Sequence, residues 1–87
     1  MPRISFFYGI TIAMFWDERG HQTPHFHAAD SGCNASLALD GTILAGSLPP
    51  RALKLVRRWA PLHQAELAVN WRRAREQEPL CPIDPLA

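Results

Sequence analysis

The stretch CNASLALDGTILAG at residues 33–46 decides the fold, because it holds the clearest hairpin signal in the chain. Apolar and small polar residues alternate along it, which is typical of a strand with one buried face. Asp40-Gly41 then supplies a two-residue turn that tolerates positive φ. Residues 42–46 return as the next strand, so the stretch predicts two antiparallel strands.

Two further strands are expected upstream. Residues 4–16 alternate as well, and Gly9 is typical of a bulge or bend within that run. Residues 17–23 are polar and lead to Pro24, which predicts a loop before a second strand at residues 25–29. Together with residues 33–46, these segments predict an antiparallel meander of three to four strands.

A long helix is predicted after the sheet. Ser47-Leu48-Pro49-Pro50 ends the sheet and starts the helix, since proline is tolerated in a first helical turn. Pro61 is an interior proline that predicts a kink. The apolar stripe keeps its helical phase across Pro61, and it contains Leu53, Val56, Ala60, Leu67, Trp71 and Ala74. The sequence therefore predicts an α+β fold in which the meander packs against one long, kinked C-terminal helix.

The chain is short enough to form a single domain over residues 1–87. We expect the sheet in residues 1–47, the helix in residues 48–76 and an extended, proline-rich tail in residues 77–87. A second apolar group on the helix lies outside the stripe, and it consists of Leu55, Trp59, Leu62 and Val69. This group predicts that the tail, a second copy in a homodimer or a partner protein covers part of the helix.

Composition and charge limit the class of protein. Hydrophobic residues make up 47% of the chain and the formal net charge is +1, which is ordinary for a globular protein. No run of about 18 apolar residues is present, so no membrane span is predicted. Cys33 and Cys81 lack metal-site spacing, and with no signal peptide they predict reduced thiols in a cytoplasmic protein.

Pro24-His25-Phe26-His27 is the strongest candidate for a functional motif. In a strand, His25 and His27 project side by side on one face while Phe26 points to the other. An imidazole with a pKa near neutrality can accept and donate a proton, so the pair is a candidate for acid–base catalysis. The alternative is structural, with both histidines satisfied by backbone carbonyls or by each other.

A third histidine can extend this pair. His63 lies at the edge of the apolar stripe, so a helix packed on the sheet can bring it towards His25 and His27. Zinc usually takes three or four protein ligands, and the three histidines are therefore the candidate divalent-metal set. Further ligands can come from the preceding loop, which contains Asp17, Glu18 and His21. No His-x-x-x-His or Cys-x-x-Cys motif is present, so no cofactor is predicted and a metal is the weaker alternative.

The positive charge is concentrated in one segment. Residues 51–75 carry a net charge of +6, against −2 for residues 1–50 and −3 for residues 76–87. Arg57, Arg58 and Arg72 are candidate phosphate contacts for RNA or DNA. A solvated helix face or an acidic protein partner explains the same charges.

These motifs resemble the small bacterial family of domains of unknown function numbered 4160. The resemblance is carried by MPxIS at residues 1–5, GIxIxM at 9–14, PHFH at 24–27, LPxRALxLVxxWAxLHxxELxxNWxxAR at 48–75 and PLxxIxPL at 79–86. It implies a stand-alone bacterial domain, whose gene lies beside another small gene and whose relatives are often labelled toxin–antitoxin components. His25, His27 and His63 match the family pattern.

Two functions follow from the residues and the resemblance. The first is a protein-interaction component of a two-gene, toxin–antitoxin-like module, which binds a small partner encoded nearby through the helix and the sheet edge. The second is a small RNA-directed toxin or nuclease, with His25, His27 and His63 as the reactive group and Arg57, Arg58 and Arg72 on the phosphates.

Overall fold

The strands follow each other in the sheet in the order in which they occur along the chain. The computed structural model describes residues 2–16 and 23–87, and within them a five-stranded antiparallel sheet has the order β1-β2-β3-β4-β5. The strands are β1 (Arg3–Phe7), β2 (Ile10–Ala13), β3 (His25–Asp30), β4 (Cys33–Ala38) and β5 (Ile43–Gly46). The antiparallel meander is confirmed, but the predicted number of three to four strands is wrong.

The additional strand comes from the first apolar run, which is a hairpin and not one bent strand. Phe7 pairs with Ile10, and the two residues between them both have positive φ, 50° at Tyr8 and 80° at Gly9. This is the conformation of a type I′ turn, whose twist matches that of antiparallel strands. The chain therefore reverses at Gly9, where the alternation alone predicted only a bend.

The hairpin at Asp40-Gly41 also differs in detail from its prediction. The Gly41 N–H donates to the Ala38 carbonyl and the Ala38 N–H to the Thr42 carbonyl, both at 2.8 Å. Three residues, 39–41, therefore lie between the hydrogen-bonded residues Ala38 and Thr42, and Gly41 has the positive φ of 98°. The ordinary two-residue turn lies instead at residues 31–32, between the paired Asp30 and Cys33.

The C-terminal helix has an interruption at its proline. It consists of α1 (Pro50–Trp59), a 3₁₀ turn (Ala60–His63) and α2 (Gln64–Arg75). Proline lacks the N–H that an interior α-helical bond requires, which accounts for the short 3₁₀ turn around Pro61. Within the described parts of the chain, no helix has the length and apolarity that a membrane crossing needs.

The core lies between the helix and one face of the sheet, and Trp59 is at its centre. The Trp59 side chain is fully buried, and its ring lies 5.3 Å from Phe7 and 5.8 Å from Phe26, measured between centroids. We predicted Trp59 outside the core stripe, and that placement is wrong. The buried residues of the helix are Ala52, Val56, Trp59, Ala60, Leu67, Asn70 and Ala74, so the inward face is rotated towards Trp59 and Asn70.

The C-terminal tail lies along the free edge of β1 and over the helix. The Ile83 N–H donates to the Ile4 carbonyl at 2.7 Å, which satisfies an acceptor on an edge strand. The indole N–H of Trp59 donates to the Asp84 carbonyl at 2.8 Å. Asn70 is buried and forms two bonds with the Cys81 backbone, one as donor and one as acceptor.

Candidate functional site

His25 and His27 lie side by side on β3. Their imidazole centroids are 5.2 Å apart and the rings meet edge to face. Phe26 between them points into the core, where it contacts Trp59. The alternation of a strand therefore directs His27 to the opposite, outer face of the sheet.

A series of ring contacts connects the outer face of the sheet to α2. Phe15 lies 4.6 Å from His27, and Trp71 lies 5.0 Å from His25, between ring centroids. The guanidinium carbon of Arg75 lies 5.8 Å from the Trp71 ring, within the range of a cation–π contact. Packing on both sides thus fixes the orientation of the two imidazoles.

Hydrogen bonds distinguish the two histidines. His25 is only 3% exposed, and its Nδ1 lies 2.9 Å from the Thr23 carbonyl. A carbonyl accepts but cannot donate, so Nδ1 of His25 carries a proton. His27 is partly exposed, and its Nδ1 lies 3.4 Å from the Ser36 hydroxyl. His27 is therefore the member of the pair that an external molecule can approach.

His63 belongs to a different environment. Its Nδ1 donates to the Glu66 carboxylate at 2.6 Å, and its ring lies 5.3 Å from that of Trp59. Within residues 2–16 and 23–87, no three His, Cys, Asp or Glu side chains come close enough together to hold a metal ion. The structure thus brings His25 and His27 together and leaves His63 outside that pair. The remaining predicted ligands, Asp17, Glu18 and His21, lie outside the described residues.

The candidate arginines are on the helix and differ in their contacts. The Arg57 Nε donates to the Gly41 carbonyl at 3.2 Å, so this side chain packs on the turn between β4 and β5. Arg58 and Arg72 are exposed. The arginine that the ring contacts connect to the histidines is Arg75, which belongs to the same basic segment of the helix as these three candidates. The spacing of Trp71 and Arg75 by four residues on a helix is the signal that identifies it.

An apolar groove lies between α2 and the tail. It has a volume of about 280 Å³ and is lined by Ala65, Glu66, Val69, Asn70, Cys81, Pro82 and Ile83. The side chains of Leu62 and Val69 are 69% and 37% exposed. Of the second apolar group of the helix, the tail therefore covers Trp59 and leaves Leu62 and Val69 accessible.

Comparison with known proteins identifies a family and no characterised relative. A family model described as a domain of unknown function (DUF4160) matches residues 9–72. This match includes the histidine pair and nearly all of the helix, and it leaves out β1 and the tail. Comparisons with curated proteins and with solved structures found no match.

Proposed function

This chain belongs to the DUF4160 family of domains of unknown function, and on the basis of its surface we propose that it is a cytoplasmic protein-interaction component. In this proposal the protein is one half of a bacterial, two-gene, toxin–antitoxin-like module, and the partner is the small protein encoded next to it. The groove between α2 and the tail is the observation that supports binding.

The groove has the properties of a protein-binding surface. Val69 lines the groove, and Leu62, in the 3₁₀ turn that precedes α2, is a second exposed apolar residue of the helix. Exposed apolar side chains beside an apolar groove are typical of a docking site for the apolar face of a partner helix.

The charges around the groove specify the partner further. Arg72 follows Val69 by three residues within α2, about one helical turn away, and Arg58 lies near the end of α1, four residues before Leu62. The one acid of α2, Glu66, is engaged by His63. We expect the partner segment to be an amphipathic helix with acidic residues flanking its apolar face.

Co-expression with the product of the adjacent gene tests this function. We expect the two chains to elute as one stable complex, and the double substitution Leu62→Glu, Val69→Glu to weaken it at least about tenfold, because it places charges in the apolar contact. The matched control is Leu44→Glu, since Leu44 is also an exposed apolar residue but lies on β5. Absence of a complex, or a complex that tolerates the groove substitutions, would contradict the proposal.

A second function, histidine-dependent cleavage of RNA, has one specific observation in its favour. The centroids of the His25 and His27 rings are 5.2 Å apart, so two groups of the kind that can accept and donate protons lie at one place on the sheet. If the protein has this function, expression of the chain alone should arrest bacterial growth. Cells that express the His25→Ala, His27→Ala variant should grow normally. Normal growth with both chains would remove this candidate and leave the protein-interaction component.

A further inference from the structure

We propose that the outer face of the sheet carries a binding site for a nucleobase, centred on His27. This site is independent of the groove and goes beyond the proposed protein interaction. It uses side chains of β2, β3 and β4 that become neighbours only through the strand register.

The register places His27 in the middle of a row of small residues. Ala13 and Ser36 are its direct neighbours across β2 and β4, and Ala45 pairs with Ser36 on β5. The solvent face of an antiparallel sheet is normally covered by polar side chains, and alanine is depleted in strands. Here the small residues leave depressions beside the imidazole.

Two depressions adjoin each other at His27. The larger, of about 200 Å³, is lined by His27, Asn34 and Ser36 together with small residues of β4 and β5. The smaller, of about 70 Å³, is lined by Thr11, Phe15, His27 and Asn34 with neighbouring alanines. His27 and Asn34 line both depressions, so one ligand can contact them from either side.

The lining specifies the ligand by its chemistry. None of the described residues that line the two depressions is Asp, Glu, Lys or Arg, so the bound group is uncharged. The side chains of Thr11, Asn34 and Ser36 donate and accept hydrogen bonds, so the group must do both. The space is smaller than a typical site for a whole small molecule, about 300 Å³ or more, so it holds a single ring system.

A nucleobase meets these requirements. It is flat and uncharged, and its edge presents donors next to acceptors. Asparagine is a side chain that binds an adenine edge in a bidentate manner. Proteins bind unpaired bases by placing them against aromatic or histidine rings and hydrogen-bonding their edges. Phe15 and His27 supply the rings here, and Asn34 supplies the edge contact.

Titration of the ¹⁵N-labelled protein with adenosine, followed by NMR, tests this site. We expect saturable shifts of the amides of His27, Asn34 and Ser36, and none on adding ribose, which lacks the base. Asn34→Ala removes the edge contact and Ala45→Leu fills the larger depression. Each substitution should weaken adenosine binding by about tenfold or more, which is the size of effect expected for the loss of a bidentate contact. The same spectra show whether the variants are folded.

The source of the base is decided by a second titration with a short oligoadenylate. Tighter binding that weakens with salt identifies single-stranded nucleic acid, and affinity equal to that of adenosine identifies a free nucleoside.

The Leu62→Glu, Val69→Glu variant should bind adenosine as the unmodified protein does, while Asn34→Ala should still bind the protein partner. Absence of saturable shifts, equal shifts with ribose, or shifts confined to α1 and α2 would overturn the inference.

Discussion

At the scale of single residues, Asn70 shows how one buried polar group can hold a terminal segment. Its side chain is fully buried, and it binds both the N–H and the carbonyl of Cys81 at 2.9 and 2.8 Å. A backbone segment without strand or helix partners needs such bonds, because unpaired backbone groups in a protein interior are costly.

The substitution Asn70→Ala should therefore destabilise the protein by about 2–4 kcal/mol, since it removes two hydrogen bonds and leaves a cavity under the tail. Urea unfolding followed by circular dichroism measures this loss. Arg72→Ala is the control on the same helix, because Arg72 is exposed, and it should change the free energy of unfolding by less than about 0.5 kcal/mol. Equal effects of the two substitutions would contradict this role of Asn70.

The turn residue Asp40 should make stability depend on pH. The Thr42 N–H donates to its carboxylate at 2.9 Å, and this bond, aided by the Thr42 hydroxyl and the positive charge of Arg57, lowers the pKa of Asp40. A carboxyl whose pKa is lowered in the folded state stabilises that state above its unfolded pKa of about 3.9, and the contribution is lost as the pH falls through the lowered value.

We therefore expect Asp40→Asn to be less stable than the unmodified protein at pH 7 and equally stable at low pH, where both side chains are neutral. Urea unfolding of the two proteins between neutral and acid pH measures the difference in the free energy of unfolding. A difference that stays constant, or that grows on acidification, would show that the charge of Asp40 is not the cause.

Sequence patterns identified the residues of the candidate site that are close along the chain. His25 and His27 are neighbours on one strand, so alternation alone predicts that their rings meet. The contacts of His27 with Phe15 and Ser36 depend on the pairing of β3 with two other strands. Such contacts follow from register, which a pattern of apolar residues does not specify across several strands.

At the scale of elements, the turns explain why the predicted number of strands is wrong. The alternation of apolar and polar residues continues through a tight turn of the chain, because the strands on both sides of the turn follow the same period. Tyr8 is an unusual residue at φ 50°, since Asn, Asp or Gly normally occupies the first position of a type I′ turn. The sequence therefore lacked the usual turn signal at this hairpin and had a strong one, Asp40-Gly41, where the structure uses a three-residue connection.

The tail is an element that should contribute strongly to stability without regular secondary structure. Removing residues 79–87 exposes Trp59 and deletes Ile83, which is buried in the core. Loss of the Ile83 side chain alone is expected to cost about 2–5 kcal/mol, and loss of the bonds to Ile4 and Trp59 adds to it. We expect a large fall in the thermal midpoint and a red shift of the tryptophan emission.

Removal of residues 85–87 is the matched control for this truncation. It keeps Ile83 and the carbonyl of Asp84, and among the described contacts it deletes the exposed bond from the Tyr8 hydroxyl to the Ala87 carbonyl and the packing of Leu86 on the core. Its thermal midpoint should fall much less than that of the longer truncation. Similar midpoints for the two truncations would mean that the bonds of Ile83 and Asp84 contribute little.

At the scale of the whole molecule, the two proposed surfaces lie on different parts of the fold. The groove is built by α2 and the tail, whereas the nucleobase site uses the sheet face opposite the core. The core side of the sheet was predicted from sequence because burial leaves a strong apolar period, and on the outer face the histidine pair was predicted because its two members are close along the chain. Polar residues of the outer face such as Asn34 and Ser36 leave no such period, so their grouping follows only from the strand order.

One core connects all of these elements, and this predicts how the molecule unfolds. The core contains residues from the sheet, from both parts of the helix and from the tail, including Ile4, Phe26, Trp59, Leu67 and Ile83. No element can leave without exposing apolar side chains of the others, so unfolding should be cooperative.

Tryptophan fluorescence reports mainly on the environment of Trp59 and Trp71, while far-ultraviolet circular dichroism reports on the helix and the sheet. We expect both signals to give the same urea midpoint, with a slope of about 1 kcal/mol per molar urea for a chain of this size. If the fluorescence changed at lower urea than the circular dichroism, the contacts around Trp59 and the tail would separate from a sheet that stays folded, and the single core would not be the unit of stability.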